Sequence, residues 1–223
     1  MKSIIIIILT LTTIEVAAQN HLIGITGGAN WTNVTSSFSN QTDYRQGVSG
    51  GITYEYFVKK DFSIGADVIY NQRGFTDNFE NPTGEKITIN RNYDYLSVPV
   101  KTGFYDVGNK LFGFAKIGLI PSLLIDAKTT VPTIGIEGRI TGTETTDVTN
   151  IVSKFDLAGL AEIGGGYKMV DRLWLTASFI YHHSLTSMTS TEYFGNNNKI
   201  RHNGMNLNIG LKWALKNIIQ KEK

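Results

Sequence analysis

The sequence predicts an all-β fold, an eight-stranded antiparallel up-and-down barrel, and two observations support this prediction. The chain contains eight runs, and all but the fifth alternate between apolar and polar residues, the pattern of strands whose successive side chains point to opposite faces. The connections between the runs alternate strictly between long and tight, beginning with a long one. A transmembrane barrel has this asymmetry, with short periplasmic turns and long extracellular loops. A chain of 223 residues has the length of one such domain.

The segment Phe155–Met188 shows the pattern most clearly. Its first run places Phe155, Ile163 and Tyr167 on one face and charged or glycine residues on the other. A tight turn at 170–172 leads to the second run, which begins at Leu173. Each run is longer than the ~9–11 residues that a tilted strand needs to cross a bilayer. The segment therefore predicts strands six and seven, joined in one hairpin.

The other six runs repeat this unit. In chain order they span residues 22–34, 47–58, 62–73, 94–105, 111–126 and 201–215. Tight turns are predicted at 59–61 and 107–110, and long loops at 36–44, 74–92, 128–152 and 189–199. Pro99 lies inside the fourth run, and because proline cannot donate to a ladder it predicts an edge or a bulge there. The fifth run is apolar on both faces, so its orientation stays open.

The amino terminus has the layout of a cleaved secretory signal. Lys2 precedes the apolar run 4–11, and small residues follow up to Ala18. We expect residues 1–18 to be the signal peptide and residues 19–223 to be the barrel domain with a short basic C-terminal tail. No later segment has the ~18 consecutive apolar residues of a transmembrane helix.

Composition excludes several classes of function. The net charge is only +2, which gives no indication of a nucleic-acid partner. The chain has no cysteine, which excludes disulfides, thiol chemistry and a lipoprotein anchor. No metal-ligand spacing occurs, so no cofactor and no metal site are expected.

Alternation alone leaves open which face is outside, since a soluble lipocalin-like barrel would show the same pattern. The polar face carries nine glycines: Gly24, Gly28, Gly51, Gly65, Gly103, Gly118, Gly164, Gly166 and Gly210. Small residues among long charged ones suit the crowded lumen of an eight-stranded barrel. Aromatic residues of the apolar face lie at strand ends: Trp31, Tyr56, Phe62, Tyr70, Phe104, Phe155, Tyr167, Tyr181 and Trp213. They are typical of the two interfacial girdles of an outer-membrane barrel.

Ten charged residues are predicted on the lumen face. They are Glu55, Asp67, Arg73, Lys101, Lys116, Asp126, Asp156, Glu162, Lys168 and Lys212. Because buried charges must be paired, we interpret them as a network of ion pairs that plugs the barrel. The alternative is an ion path, but an eight-stranded barrel leaves no aqueous channel.

A catalytic hypothesis arises at His182, His183 and Ser184. Neighbouring residues of a strand point to opposite faces, so His183 cannot act with either of its neighbours. His182 and Ser184 share a face but stand roughly 7 Å apart, and no carboxylate partner can be assigned. We expect an interfacial histidine pair and no enzymatic activity.

Several motifs resemble those of the PorT-like family of small outer-membrane β-barrels. Residues 94–101, DYLSVPVK, resemble the family's fourth strand, and 116–118 with 122–124 resemble its fifth. Phe155-Asp156 followed by 164–167, GGGY, is similar to its sixth. The resemblance implies an OmpA-like eight-stranded barrel in a Gram-negative outer membrane. The family takes its name from a member that is required for protein secretion.

The C-terminal strand departs from the expected pattern. Residues 208–215 resemble the assembly signal of outer-membrane proteins, which usually ends on an aromatic residue, but Leu215 stands there. A basic tail, 216–223, follows.

Together these observations predict a monomeric, non-enzymatic outer-membrane barrel with a plugged lumen. Its expected partners are outer-membrane lipid and a protein that binds the extracellular loops, giving it a structural or interaction role. One alternative is an accessory component of protein secretion across the outer membrane. A second is a soluble exported lipocalin-like barrel that binds a ligand.

Overall fold

The computed structural model describes residues 21–36, 42–80, 86–135, 140–188 and 199–215. The predicted signal peptide, residues 189–198 of the last predicted loop and the basic tail lie outside these ranges. The described residues form no helix that could span a membrane.

Ten antiparallel strands form the described part of the chain. In chain order they are β1 (His21–Ser36), β2 (Thr42–Lys59), β3 (Phe62–Glu80), β4 (Lys86–Ser97), β5 (Val100–Val107), β6 (Leu111–Ile134), β7 (Ile140–Asp147), β8 (Phe155–Val170), β9 (Leu173–Ser184) and β10 (Ile200–Ala214). Along long strands such as β2 and β8, buried and exposed side chains alternate with the period of two that the sequence predicts.

The strands make one up-and-down, barrel-like sheet. β1 pairs with β2 on one side and with β10 on the other, and β10, β9, β8 and β6 follow as neighbours. β6 pairs with both β4 and β5, both of these pair with β3, and β3 pairs back to β2. The predicted all-β, antiparallel, up-and-down architecture is thereby confirmed.

The predicted fourth strand is divided at Val98 and Pro99 into β4 and β5. Proline has no N–H to donate, so the regular ladder is interrupted there. Hydrogen bonds still bridge the gap: the Val98 N–H donates to the Pro121 carbonyl, and the Asp67 N–H donates to the Pro99 carbonyl, both at 2.9 Å. The two pieces therefore share the same neighbours, β3 and β6.

Two of the predicted long loops contain regular strands. β3 continues to Glu80 and β4 begins at Lys86, so the predicted loop 74–92 is largely a hairpin. The predicted loop 128–152 contains the end of β6 and all of β7. Threonine favours extended backbone, and the Thr-rich sequence that suggested a loop forms cross-strand pairs such as Thr130 with Thr145, 3.0 Å between hydroxyls.

β7 ends at Asp147, and a short turn follows it. The Thr149 N–H donates to the Asp147 carboxylate at 2.8 Å. Hydrogen bonds from the Thr149 hydroxyl and N–H lower the pKa of Asp147, because they stabilise its ionised form.

The two faces of the sheet differ sharply in chemistry. The exterior is a continuous band of exposed apolar side chains, among them Ile25, Ile52, Ile117 and Ile209. The interior holds polar and charged residues in its middle and three apolar clusters.

The fifth predicted run, whose orientation was open, is β6. Leu111 and Ile117 are exposed on the exterior, while Phe112 and Lys116 are buried in the interior. A bulge at Ile125, where Tyr95 pairs with Leu124 and Asp94 with Asp126, reverses the alternation further along the strand.

Candidate functional site

An aromatic layer occupies the end of the interior beside the tight turns. Its buried members are Leu22, Phe57, Tyr105, Phe112, Phe114, Trp174 and Ala214. The ring centroids of Phe112 and Trp174 are 4.8 Å apart, and those of Phe57 and Tyr105 are 4.9 Å apart. These are ordinary distances for attractive aromatic pairs, so the layer is closely packed.

Glycines on β8 make room for this layer. Gly164 and Gly166 pair with Phe114 and Phe112 on the neighbouring β6. A Cβ at Gly164 would lie 2.5 Å from Phe114 Cζ, and one at Gly166 would lie 2.4 Å from Phe112 Cζ. These two glycines therefore hold space for bulky interior rings.

Glu55 is the centre of the first buried charge group. Its carboxylate accepts hydrogen bonds from Lys116 Nζ at 2.6 Å, from Tyr105 Oη at 2.5 Å and from Lys212 Nζ. All four residues are buried, which places two ammonium groups against one carboxylate away from water.

Lys101 is the centre of a second buried group. Its Nζ lies 2.7 Å from Asp67 Oδ2 and 3.0 Å from Glu162 Oε2, so one ammonium meets two carboxylates. The two groups together contain three lysines and three carboxylates. Their charges balance, and such balance offsets the large cost of removing them from water.

Arg73 and Asp156 form a third polar layer. Arg73 Nη1 donates to Asp156 Oδ2 at 2.7 Å, and Nη2 donates to the Ser122 hydroxyl at 3.0 Å. Asp156 also accepts from the hydroxyls of Ser184 and Thr186, each at 2.9 Å. Because the fully buried Arg73 and Asp156 bond to each other and to hydroxyls on the neighbouring strands, this layer ties β3, β6, β8 and β9 together.

A second apolar cluster, the outer cluster, lies beyond Arg73 on the side of the long loops. Its buried members are Val34, Phe75, Tyr93, Tyr95, Leu124, Ala127, Val152 and Met188. The Arg73 guanidinium lies 4.8 Å from the centroid of the Tyr95 ring, and the buried His202 ring packs 5.5 Å from that of Tyr93. One buried apolar cluster thus lies on each side of the polar interior.

Eight of the ten predicted lumen charges are buried in these groups. The two others are only half-buried, and the predicted position is wrong for Asp126 alone. Asp126 follows the bulge at Ile125, is half-buried and pairs with Lys128 at 2.8 Å. Lys168 lies at the end of the interior beside a tight turn, where its Nζ is 5.2 Å from the centroid of the buried Trp174 ring and donates to the Gly108 carbonyl at 3.1 Å.

The aromatic residues predicted as girdles lie on the exterior face. Tyr56, Tyr70, Phe104, Phe155, Tyr167, Tyr181 and Trp213 are exposed. Trp31 and Phe62 are half-buried, and the Phe62 ring packs 5.1 Å from that of Phe104.

The histidine prediction needs a correction. His182 is fully buried inside the sheet, so it is not an interfacial residue, whereas its neighbour His183 is half-buried. Ser184 is also fully buried, and its hydroxyl donates to Asp156. No cluster of three or more metal-ligating side chains occurs within the described ranges.

Sequence reasoning missed the interior aromatic residues and the serines around Arg73. Their signal was present: Trp174 shares the parity of Thr176, and Tyr95 shares that of Ser97, so both stand on the polar face. Glycines opposite Phe112 and Phe114 were the second signal, because they predict large neighbours.

Comparisons with known proteins agree with this geometry. The profile of the family described as "outer membrane protein beta-barrel domain" matches residues 17–190. The outer membrane protein OprG from Pseudomonas aeruginosa has a similar structure, with 11% sequence identity and a TM-score of 0.50 over 88% of this chain and 96% of that one. No curated protein sequence matches significantly.

Two other solved structures are similar with lower TM-scores. Neisserial surface protein A has 12% identity and a TM-score of 0.46, covering 86% of this chain and 96% of that one. The attachment invasion locus protein Ail of Yersinia pestis has 13% identity and a TM-score of 0.41, covering 86% and 99%. At these identities a likeness concerns the fold alone.

Proposed function

Because this chain belongs to the outer membrane protein β-barrel domain family, we propose that it is an outer-membrane barrel with a closed interior, which acts through its outer loops. The observation that carries the proposal is the stack of layers inside the sheet. The aromatic layer, the balanced charge groups, the Arg73 layer and the outer cluster follow one another along the interior.

The proposed barrel has eight strand positions. β4 and β5 together occupy one position because they share both neighbours. β7 adds no position because, within the described residues, it pairs only with β6 and extends it. An eight-stranded barrel is just wide enough for side chains to fill it, which agrees with the buried interior. A closed ring also satisfies every backbone edge, the condition for crossing lipid.

The exposed apolar band supports lipid as the surroundings of this barrel. A soluble exported barrel would expose that band to water, which is an aggregation liability. We therefore set aside the soluble ligand-binding alternative.

The closed interior makes a direct prediction for conductance. Mature protein inserted into planar bilayers is expected to give no stable conductance steps, because apolar layers cover both ends of the polar interior. Incorporation is checked separately by flotation of protein-bearing vesicles. Reproducible single-channel steps from inserted protein would contradict the closed interior.

The outer loops carry the proposed interaction role with a partner protein. All eight residues of β7 are exposed, and the β6–β7 hairpin extends the sheet on the side of the outer cluster. Replacing 131–144 by a two-residue turn is expected to leave the barrel folded and to abolish crosslinking to the partner in outer membranes. The same crosslinked species on both chains would refute a role for this hairpin.

The secretion alternative rests on the likeness of 94–101 and 155–167 to PorT-like strands. It predicts that deletion of the gene changes the set of exported proteins. An unchanged set would count against it. No catalytic role is proposed, since the Ser184 hydroxyl is buried and engaged with Asp156.

A further inference from the structure

A small cavity lies at the centre of the interior, between the lysine–carboxylate groups and the Arg73 layer. Its volume is about 50 Å³, and side chains from every strand except β7 contribute to its lining. It therefore lies on the axis around which the strands are arranged.

Four polar atoms of the lining have no hydrogen-bond partner among the described residues. They are Thr53 Oγ1, Asp67 Oδ1, His182 Nε2 and Asn206 Oδ1. All four residues are more than nine-tenths buried. Buried polar atoms almost always have a partner in a native protein, so four unpaired atoms around one cavity point to something bound there.

Lysines on the same lining have donors to spare. An ammonium carries three N–H donors. The Lys101 contacts with Asp67 and Glu162 account for two of these, and the Lys212 contact with Glu55 accounts for one. The cavity is thus bordered by unused donors as well as by unused acceptors.

We propose that this cavity is a specific site for a cluster of about three to five water molecules, because each needs roughly 10–15 Å³ of such volume. Buried water typically makes about three hydrogen bonds, and the four unpaired atoms together with the two lysines provide enough partners.

The mixed character of the lining distinguishes water from an ion. A cation would be attracted by Asp67 but repelled by Lys101 and Lys212, and an anion would meet the reverse. Since the three lysines and three carboxylates already balance, either ion would add a net charge to a buried, neutral group. Water both donates and accepts, so it satisfies both kinds of neighbour.

The water cluster would join the two charge groups into one network. Lys212 belongs to the Glu55 group and Asp67 to the Lys101 group, and both border the cavity. The aromatic layer and the outer cluster separate this site from both ends, so its waters are expected to exchange slowly with bulk solvent.

A crystal structure of the mature chain, grown with rubidium bromide, tests the proposal. We expect separate, spherical density within hydrogen-bond distance of Thr53 Oγ1, Asp67 Oδ1 and Asn206 Oδ1, without anomalous signal. Anomalous signal from rubidium or bromide in the cavity would assign it to an ion and overturn the proposal. A cavity without density would overturn it as well.

Solid-state NMR in bilayers supplies a second readout with matched variants. Transfer of magnetisation from water to Thr53, Asp67 and Asn206 is expected in the unmodified protein. Thr53→Val should lose transfer at position 53 and keep it at Asp67. Thr176→Val is the control, because the Thr176 hydroxyl already donates to the Gly210 carbonyl at 3.2 Å. Absence of transfer at Asp67 and Asn206 in the unmodified protein would refute the proposal, whether or not the barrel conducts.

Discussion

Replacing Glu55 with glutamine tests how strongly the interior charges stabilise this protein. Glutamine keeps the shape of the side chain, and its carbonyl can still accept the hydrogen bond from Tyr105. It removes the only charge that lies against both Lys116 and Lys212 within the described contacts. Two buried ammonium groups then face each other without their counter-ion.

The expected loss of stability follows from burial. Removing one partner of a buried ion pair costs about 3–5 kcal/mol, because the remaining charge is left uncompensated. Glu55 and Lys116 are each 1% exposed at their side chains, so the full range applies. For comparison, the pair of Asp126 and Lys128 has side chains that are 35% and 51% exposed. Removing such a surface pair is worth about 0–1 kcal/mol.

The assay is equilibrium unfolding by urea in lipid vesicles, followed by tryptophan fluorescence, since Trp174 lies in the adjacent aromatic layer. Glu55→Gln is expected to lower the free energy of unfolding far more than the control, Asp126→Asn. Adding Lys116→Met and Lys212→Met should restore part of the loss, because no uncompensated ammonium remains in that group. Equal, small effects of Glu55→Gln and Asp126→Asn would refute the argument that Glu55 is shielded from bulk solvent.

Two further substitutions test the other layers. Gly166→Ala should destabilise the barrel by about 1–3 kcal/mol, since the new methyl group would lie 2.4 Å from Phe112 Cζ. Gly159→Ala is the matched control in the same unfolding assay, because a methyl group there would meet no atom within 4 Å. Asp156→Asn should cost about 3–5 kcal/mol, because it leaves the fully buried Arg73 without a counter-ion. A mild effect of Asp156→Asn, like that of a surface substitution, would show that Arg73 is hydrated.

Much of the sheet could be predicted because every side chain of a strand faces one of two different environments. The alternation at 155–169 places Asp156 and Glu162 inside and Phe155 and Ile163 outside, and the structure has them there. The alternation fails where the backbone itself is irregular. A single extra residue at the Ile125 bulge reverses the faces, and local sequence does not reveal which neighbour a bulge will meet.

The ends of the strands were harder to predict for a different reason. Thr-rich and polar segments such as 128–134 and 140–147 show no apolar alternation, and all eight residues of β7 are exposed. Their extended conformation depends on pairing between the two segments, a tertiary effect that composition does not report.

The sequence predicts that the interior charges are paired, but not which carboxylate pairs with which lysine. Balanced charge implied pairing, yet nothing in the spacing of Glu55, Lys116 and Lys212 indicates that one carboxylate serves two lysines. These residues are brought together by the closing of the sheet, which sets distances between residues that are far apart in sequence.

The measurement that tests the central claim most directly is quenching of single-tryptophan variants by brominated lipid. We propose that the exterior face contacts lipid and that side chains fill the interior. A chain that keeps only Trp213, which is 46% exposed on the exterior, is therefore expected to be quenched strongly. A chain that keeps only Trp174, which is 2% exposed in the interior, is expected to be quenched little. Strong quenching of Trp174 together with protection of Trp213 would contradict the assignment of the two faces.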